Sequence, residues 1–204
     1  MPSVFSKAFR AVFLGEFGEN RHAHPVHPST VHFPIAFLGL ANVLNLVYGS
    51  SAYLSVPLTG DERNLSALAL VGYATNILGI VSSVPALLTG FAELYAMVSA
   101  NGLYEADSRG QKSIIPKVKT TLTHAGMNDA AIFLSIYHWY MERNAYDFRP
   151  QGHQIVLSAV ALGLSFYAAY LGGDLVYKQS VGVQRMGEGA ALKAKEIENA
   201  KKSN

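Results

Sequence analysis

The sequence predicts an all-α protein, a four-helix transmembrane bundle with both termini on the cytosolic side, and three observations predict it. Half of the 204 residues are hydrophobic and only 15% are charged, against roughly 25% charged residues in soluble domains. The charges are also segregated. Residues 29–60, 64–92 and 151–173 hold no Asp, Glu, Lys or Arg, and 120–141 hold only Asp129. A helix needs about 20 apolar residues to cross ~30 Å of hydrocarbon, and all four stretches are that long. Finally, thirteen Lys and Arg fall in the N-terminal tail, the second connection and the C-terminal tail, against Arg63, Arg143 and Arg149 elsewhere. Cationic loops stay on the cytosolic side, and an even number of crossings puts both tails there.

Residues 1–23 form the N-terminal tail. Within it, 3–14 alternate aromatic and basic residues at near-helical spacing and read as a short membrane-surface helix. A mitochondrial transit peptide is the alternative, against which Glu16 and Glu19 stand close behind. Lys7 and Arg10 interrupt the apolar block and exclude a secretory signal. The membrane domain takes residues 24–183, with helices near 30–52, 67–92, 120–142 and 154–177. Residues 184–204 are a charged C-terminal tail, helical in pattern over 188–202.

Before the first span lies Arg21-His22-Ala23-His24-Pro25-Val26-His27-Pro28. A residue that precedes Pro resists the helical region, so His24 and His27 belong to an extended segment at the headgroups. His32 stands two residues before Pro34, which leaves the Thr30 carbonyl without its helical donor.

The four spans read as two similar hairpins. The first and third helices each carry a His near their cytosolic start, His32 and His124. The second and fourth each end in a Gly–acid–Leu step, around Glu93 and Asp174. Such parallel repeats are related by an axis along the membrane normal, which sets the four groups at one depth. An acid at a helix C-terminus opposes the macrodipole, so Glu93 and Asp174 each need a partner. Ionisable groups inside a membrane are costly and mark candidate sites.

The third helix is the most polar. His124 and Asn128 share a face, being four apart. His124 and His138 are 14 apart, about 21 Å of rise with directions differing by about 40°. That is the spacing of dihaem helices in b-type cytochromes. It suggests an inner pair, His32 with His124, and a second, outer pair, His138 with His153. Bis-imidazole ligation of haem b needs no cysteine, and the chain has none. The absence of Cys also excludes disulfides, thiolate zinc sites, iron–sulfur clusters and a Cys nucleophile.

Residues 24–35, reading His-Pro-Val-His-Pro-Ser-Thr-Val-His-Phe-Pro-Ile, resemble the opening motif of a family of uncharacterised membrane proteins, domain of unknown function 2231. Thr123-His124-Ala125-Gly126-Met127-Asn128 is similar to its step on the third helix. Gly172-Gly173-Asp174-Leu175-Val176-Tyr177 followed by Val181-Gly182-Val183 is similar to its closing block. The resemblance covers about 24–183 and implies a four-helix integral membrane fold. It also implies importance for His24, His27, His32 and His124, and implies no activity.

Three functions follow as expectations. The first is a membrane redox protein holding haem b through His32 and His124, with Asn128 orienting a ring and Arg21, Lys117 or Lys119 meeting the propionates. A redox partner or a homo-oligomer is the partner this reading allows. The second is a non-haem site for zinc, iron or manganese built from His32, His124, Glu93 and Asp174, with His22, His24 and His27 as a capture arm. The third is a non-catalytic scaffold braced by its histidines. Gly72, Gly79, Ser82, Ser83, Gly163 and Ser165 suit close helix packing in all three. The lipid bilayer is the expected surround. A net charge of +2, with no basic patch interleaved with aromatics, gives no case for nucleic acid. No G-x-S-x-G step offers a Ser nucleophile, and whether the protein is an enzyme stays open.

Overall fold

The structure, a computed structural model, describes residues 4–17, 22–23, 26–54, 61–106, 109–179 and 181. Helix α1 runs Val4–Leu14, and a two-residue ladder follows, β1 Glu16–Phe17 against β2 His22–Ala23. Next come α2 Val26–Thr30, α3 His32–Leu54 and α4 Glu62–Asn101. An exposed hairpin, β3 Tyr104–Ala106 paired with β4 Lys112–Ile114, leads to α5 Pro116–Glu142. A 3-10 turn at Tyr146–Phe148 precedes α6 Gly152–Tyr177.

Among the described residues three helical stretches are long and apolar enough to cross a membrane, over Val26–Tyr53, Glu62–Ala100 and Tyr146–Tyr177. The expected third span, 120–142, is helical throughout but is not one of them. Lys117, Lys119, Asp129 and Glu142 lie within α5, and three Thr, two His and an Asn dilute its apolar residues further.

The helix ends depart from the expected ones for local reasons. Asp61 accepts the backbone N–H of Asn64 at 2.9 Å, an N-cap that starts α4 five residues before position 67. At the other end Gly102 has φ +80° and donates its N–H to the Val98 carbonyl at 2.8 Å. That left-handed stop ends α4 well past position 92. Absence of charge marks the apolar stretch, whereas caps mark the helix. Pro116 opens α5 at the position where a missing N–H costs nothing. Gln154 opens α6 by accepting the Gln151 N–H on its side-chain oxygen at 2.9 Å.

The chain divides into two compact units. The first comprises 1–30, 87–121 and 172–204, and the second comprises 31–86 and 122–171.

In the second unit, stretches of α3, α4, α5 and α6 touch at named points. Leu38 packs on Gly79 and Asn45 on Gly72, so α3 and α4 run antiparallel. Asn45 bonds Ser158, Gly49 meets Ile155 and the Tyr53 hydroxyl donates to the Pro150 carbonyl, so α3 and α6 are antiparallel as well. His124 with Ala168 and Glu142 with Gln154 set α5 against α6 in the same way. Helices α3 and α5 are therefore parallel. Asn76 Nδ2 donates to the Ser135 carbonyl at 2.9 Å and ties α4 to α5.

The turn between α5 and α6 is strained. Asp147 and Phe148 take φ of 52° and 55°, left-handed values costing about 1–2 kcal/mol each for residues with a Cβ. Contacts with α4 hold this turn. Ser66 donates to the Asp147 carboxylate at 2.8 Å, Phe148 stacks on Tyr73 with centroids 4.5 Å apart, and Arg149 bonds both Glu62 and Ser66 at 2.8 Å.

In the first unit, Phe9 of α1 meets Tyr95 of α4 edge-on, with centroids 6.4 Å apart. The expected helical pattern of 188–202 lies outside the described residues.

Candidate functional site

Of the residues that open the membrane domain, His24 and Arg21 lie outside the described residues, and His22 is described only as backbone in β2. His27 corrects the expectation of an extended segment, because it sits in helix α2. Pro28 falls in the first turn of that helix, where proline has no intrahelical partner to lose and its fixed φ suits the helix. The chain breaks after Thr30 instead, since Pro34 at the start of α3 cannot donate to its carbonyl.

Helix α2 presents His27 and Thr30 to α4 within the first unit. His27 Nδ1 and Thr89 Oγ1 are 3.1 Å apart, and the two threonine hydroxyls are 3.0 Å apart. Thr30 Oγ1 also reaches the His27 carbonyl at 2.9 Å. Gly90 lies beneath the ring, where an added Cβ would stand 2.9 Å from His27 Cε1. Glu93, four residues after Thr89 and so on the same face, is buried at 9% exposure. The Gly at position 90 is thus required by the imidazole above it. Gly90→Ala is expected to push the ring off Thr89 and cost about 1 kcal/mol, the worth of one hydrogen bond. Thermal unfolding in detergent checks this, and Thr89→Val should cost about the same.

His124 is held at both ring nitrogens in the second unit. Its Nδ1–H donates to the Ala168 carbonyl on α6 at 2.8 Å. Asn128 Nδ2 stands 3.3 Å from Nε2 and also donates to the His124 carbonyl at 2.9 Å. The carbonyl settles the tautomer, because only a protonated Nδ1 can donate to it. The lone pair is then on Nε2, and Asn128 covers it. His32 is the first residue of α3 and is exposed. Asn45 and His138 touch across α3 and α5, and His32 precedes Asn45 by 13 residues as His124 precedes His138 by 14. At about 1.5 Å per residue on parallel helices, His32 and His124 fall at nearly one height.

The acids of the inner set have partners of their own. Asp174 near the end of α6 is bonded by Lys178 Nζ at 2.6 Å and Gln179 Nε2 at 2.8 Å, which neutralises it where the helix dipole disfavours an anion. Among the described residues no three His, Asp or Glu form a group that could hold a metal ion. His32 and His124 belong to one unit, and Glu93 and Asp174 to the other.

At the other end of α5 the structure differs from the expected outer pair. His153 bonds the Tyr137 hydroxyl at 2.9 Å, whereas His138 Nδ1 faces Asn45 Nδ2 at 3.3 Å. His138 belongs to a buried polar cluster with Asn45, Glu142, Gln154 and Ser158, each at most 5% exposed. Glu142 Oε1 lies 3.9 Å from His138 Nδ1 and accepts from Gln154 Nε2 at 3.2 Å. Sequence reading missed four of these five residues. A signal was present, since His138 and Glu142 are four apart on one helix face.

The fold class these elements define is an integral membrane protein built on long apolar helices. The chain belongs to the family of predicted membrane proteins DUF2231, whose match covers residues 23–185. No curated protein and no solved structure matches it.

Proposed function

We propose that the chain is a four-span membrane bundle with both termini on the side rich in Lys and Arg, and that it binds haem b for electron transfer through His124 and His32. The observation that carries this is the 2.8 Å bond from His124 Nδ1–H to the Ala168 carbonyl. A histidine that ligates iron usually donates its other N–H to such an acceptor, which orients the ring and raises its basicity. Nε2 is left as the ligating atom, and the Asn128 amide, at a long 3.3 Å, has only to turn aside. The common height of His32 and His124 would let two parallel helices each offer an imidazole to the haem. Haem b would supply a one-electron couple. The protein's part is to fix the imidazoles and exclude water. A redox partner would dock on the cationic face.

The bond from Asn128 favours a second reading. With both nitrogens satisfied, His124 also serves as a brace between α5 and α6. No described group of ligands favours a non-haem ion.

A dithionite-minus-air difference spectrum of detergent-purified protein from haem-replete cells separates the two. The haem reading expects a sharp reduced α-band that is lost in His124→Ala and in His32→Ala. A flat spectrum overturns it. In that case His124→Ala should only lower the unfolding temperature, and His32→Ala should leave it nearly unchanged.

A further inference from the structure

We infer that His138 and Glu142 form a buried proton-binding site, whose ligand is a proton exchanged with water. This is independent of the haem reading and lies at the opposite end of α5.

The two side chains are 3% and 1% exposed. Everything that meets the Glu142 carboxylate is neutral or titratable, and among the described residues no Lys or Arg forms an ion pair with it. An unpaired buried carboxylate is very costly, as is an unpaired buried imidazolium. The pair therefore carries one proton more than a carboxylate beside a neutral ring. It exists as acid with imidazole or as carboxylate with imidazolium, and the two forms differ by one proton moved across the 3.9 Å between Oε1 and Nδ1. Asn45 Nδ2 donates toward Nδ1, which puts the ring hydrogen on Nε2, and the same amide also hydrogen-bonds Glu142.

That hydrogen meets no acceptor among the described residues. His138 Nε2 is buried and makes no hydrogen bond. A ring that only braced the helices would have both nitrogens satisfied, as His124 does. A ring with one nitrogen toward an acid and the other open can relay a proton. Once the Asn45 amide turns from Nδ1 and the 3.9 Å gap to Oε1 closes to hydrogen-bond length, the Glu142 O–H bond breaks as an N–H bond forms at Nδ1, and the Nε2 proton passes to a water molecule. The ring ends neutral and Glu142 ionised, until the reverse transfer reloads it.

The groups around the pair set its response to pH. From α6, Gln154 and Ser158 contribute uncharged dipoles, and His153 is the neighbouring titratable ring. From α3 come Asn45 and, one turn on, Tyr48. From α4, Asn76 is engaged with a backbone carbonyl of α5. In the connecting turn Arg149 is committed to Glu62 and Ser66.

Infrared spectra of the full chain in nanodiscs, recorded across pH in H2O and D2O, test this. The expected result is a carboxylic-acid carbonyl band at neutral pH that shifts down in D2O, disappears reversibly at alkaline pH and is absent in Glu142→Gln. His138→Gln should move the midpoint of that titration by at least about one pH unit. Should Glu142→Gln fail to fold, Glu142→Asp should keep the band at a shifted frequency. A band that survives Glu142→Gln, or is unchanged by Glu142→Asp, overturns the proposal. So does a Glu142 band that neither exchanges in D2O nor titrates, which would make the acid inert.

Discussion

Gly79→Val should prevent α3 and α4 from seating against each other and leave little folded protein. Leu38 of α3 lies across Gly79 so closely that an added Cβ would collide with its side chain and stand 3.1 Å from its backbone nitrogen. The side chain can rotate, but the backbone can only retreat. Inserting carbon into such a contact costs about 1–3 kcal/mol or more when the backbone must shift. Two features raise the cost here. Leu38 is buried at 7% exposure, and Ser83, at 1%, turns its hydroxyl back to the Gly79 carbonyl at 2.8 Å. Gly39→Ala is the control, since nothing stands within 4 Å of a Cβ there. Size-exclusion profiles and unfolding in mixed micelles should show Gly79→Val largely aggregated and Gly39→Ala unaffected or slightly stabilised. Equal behaviour of the two would contradict this packing.

Asn45→Ala is the second large effect, expected at about 2–3 kcal/mol. One amide nitrogen serves His138 Nδ1 at 3.3 Å and Ser158 Oγ at 3.2 Å, so its loss unties α3 from both α5 and α6. Interhelical hydrogen bonds in membranes are worth about 0.6–1.7 kcal/mol each, and the cavity adds to that. Asn42, one turn earlier and equally buried, donates among the described residues only to the Leu38 carbonyl of its own helix at 2.8 Å. Asn42→Ala should therefore cost well under 1 kcal/mol. Reversible unfolding in urea or sodium dodecyl sulfate compares them, and a reversed order would show that Asn45 is not the junction.

The sequence made some of this legible and hid the rest, for separable reasons. Charge-free runs located the long helices, because hydrocarbon tolerates few ions, but left their ends open. Asp61 and Gly102, which set the bounds of α4, lie outside or at the margin of those runs. The small residues of the second and fourth spans looked alike on paper. The structure separates Gly72 and Gly79, each beneath a neighbouring side chain, from Gly163, which meets nothing. His124 with Asn128 was readable because both ends of that contact lie on one helix. Its partner at Ala168 is a backbone carbonyl, which carries no signature in sequence. The cluster at His138 joins three helices, and Asn45 and Gln154 gain meaning only when those helices meet.

The polarity of α5 has a consequence for how such a chain is made. A helix that carries Asp129, Asn128 and Glu142 among its apolar residues partitions into lipid less readily than α3, α4 or α6. On a four-span topology it would reach the insertion machinery after α4 and before α6, the helix that receives the His124 and Glu142 contacts. A nascent chain stopped just after α5 should therefore leave that segment outside the bilayer. On that topology, chains released beyond α6 should carry it in, with the fourth hydrophobic stretch serving as the partner that commits the third.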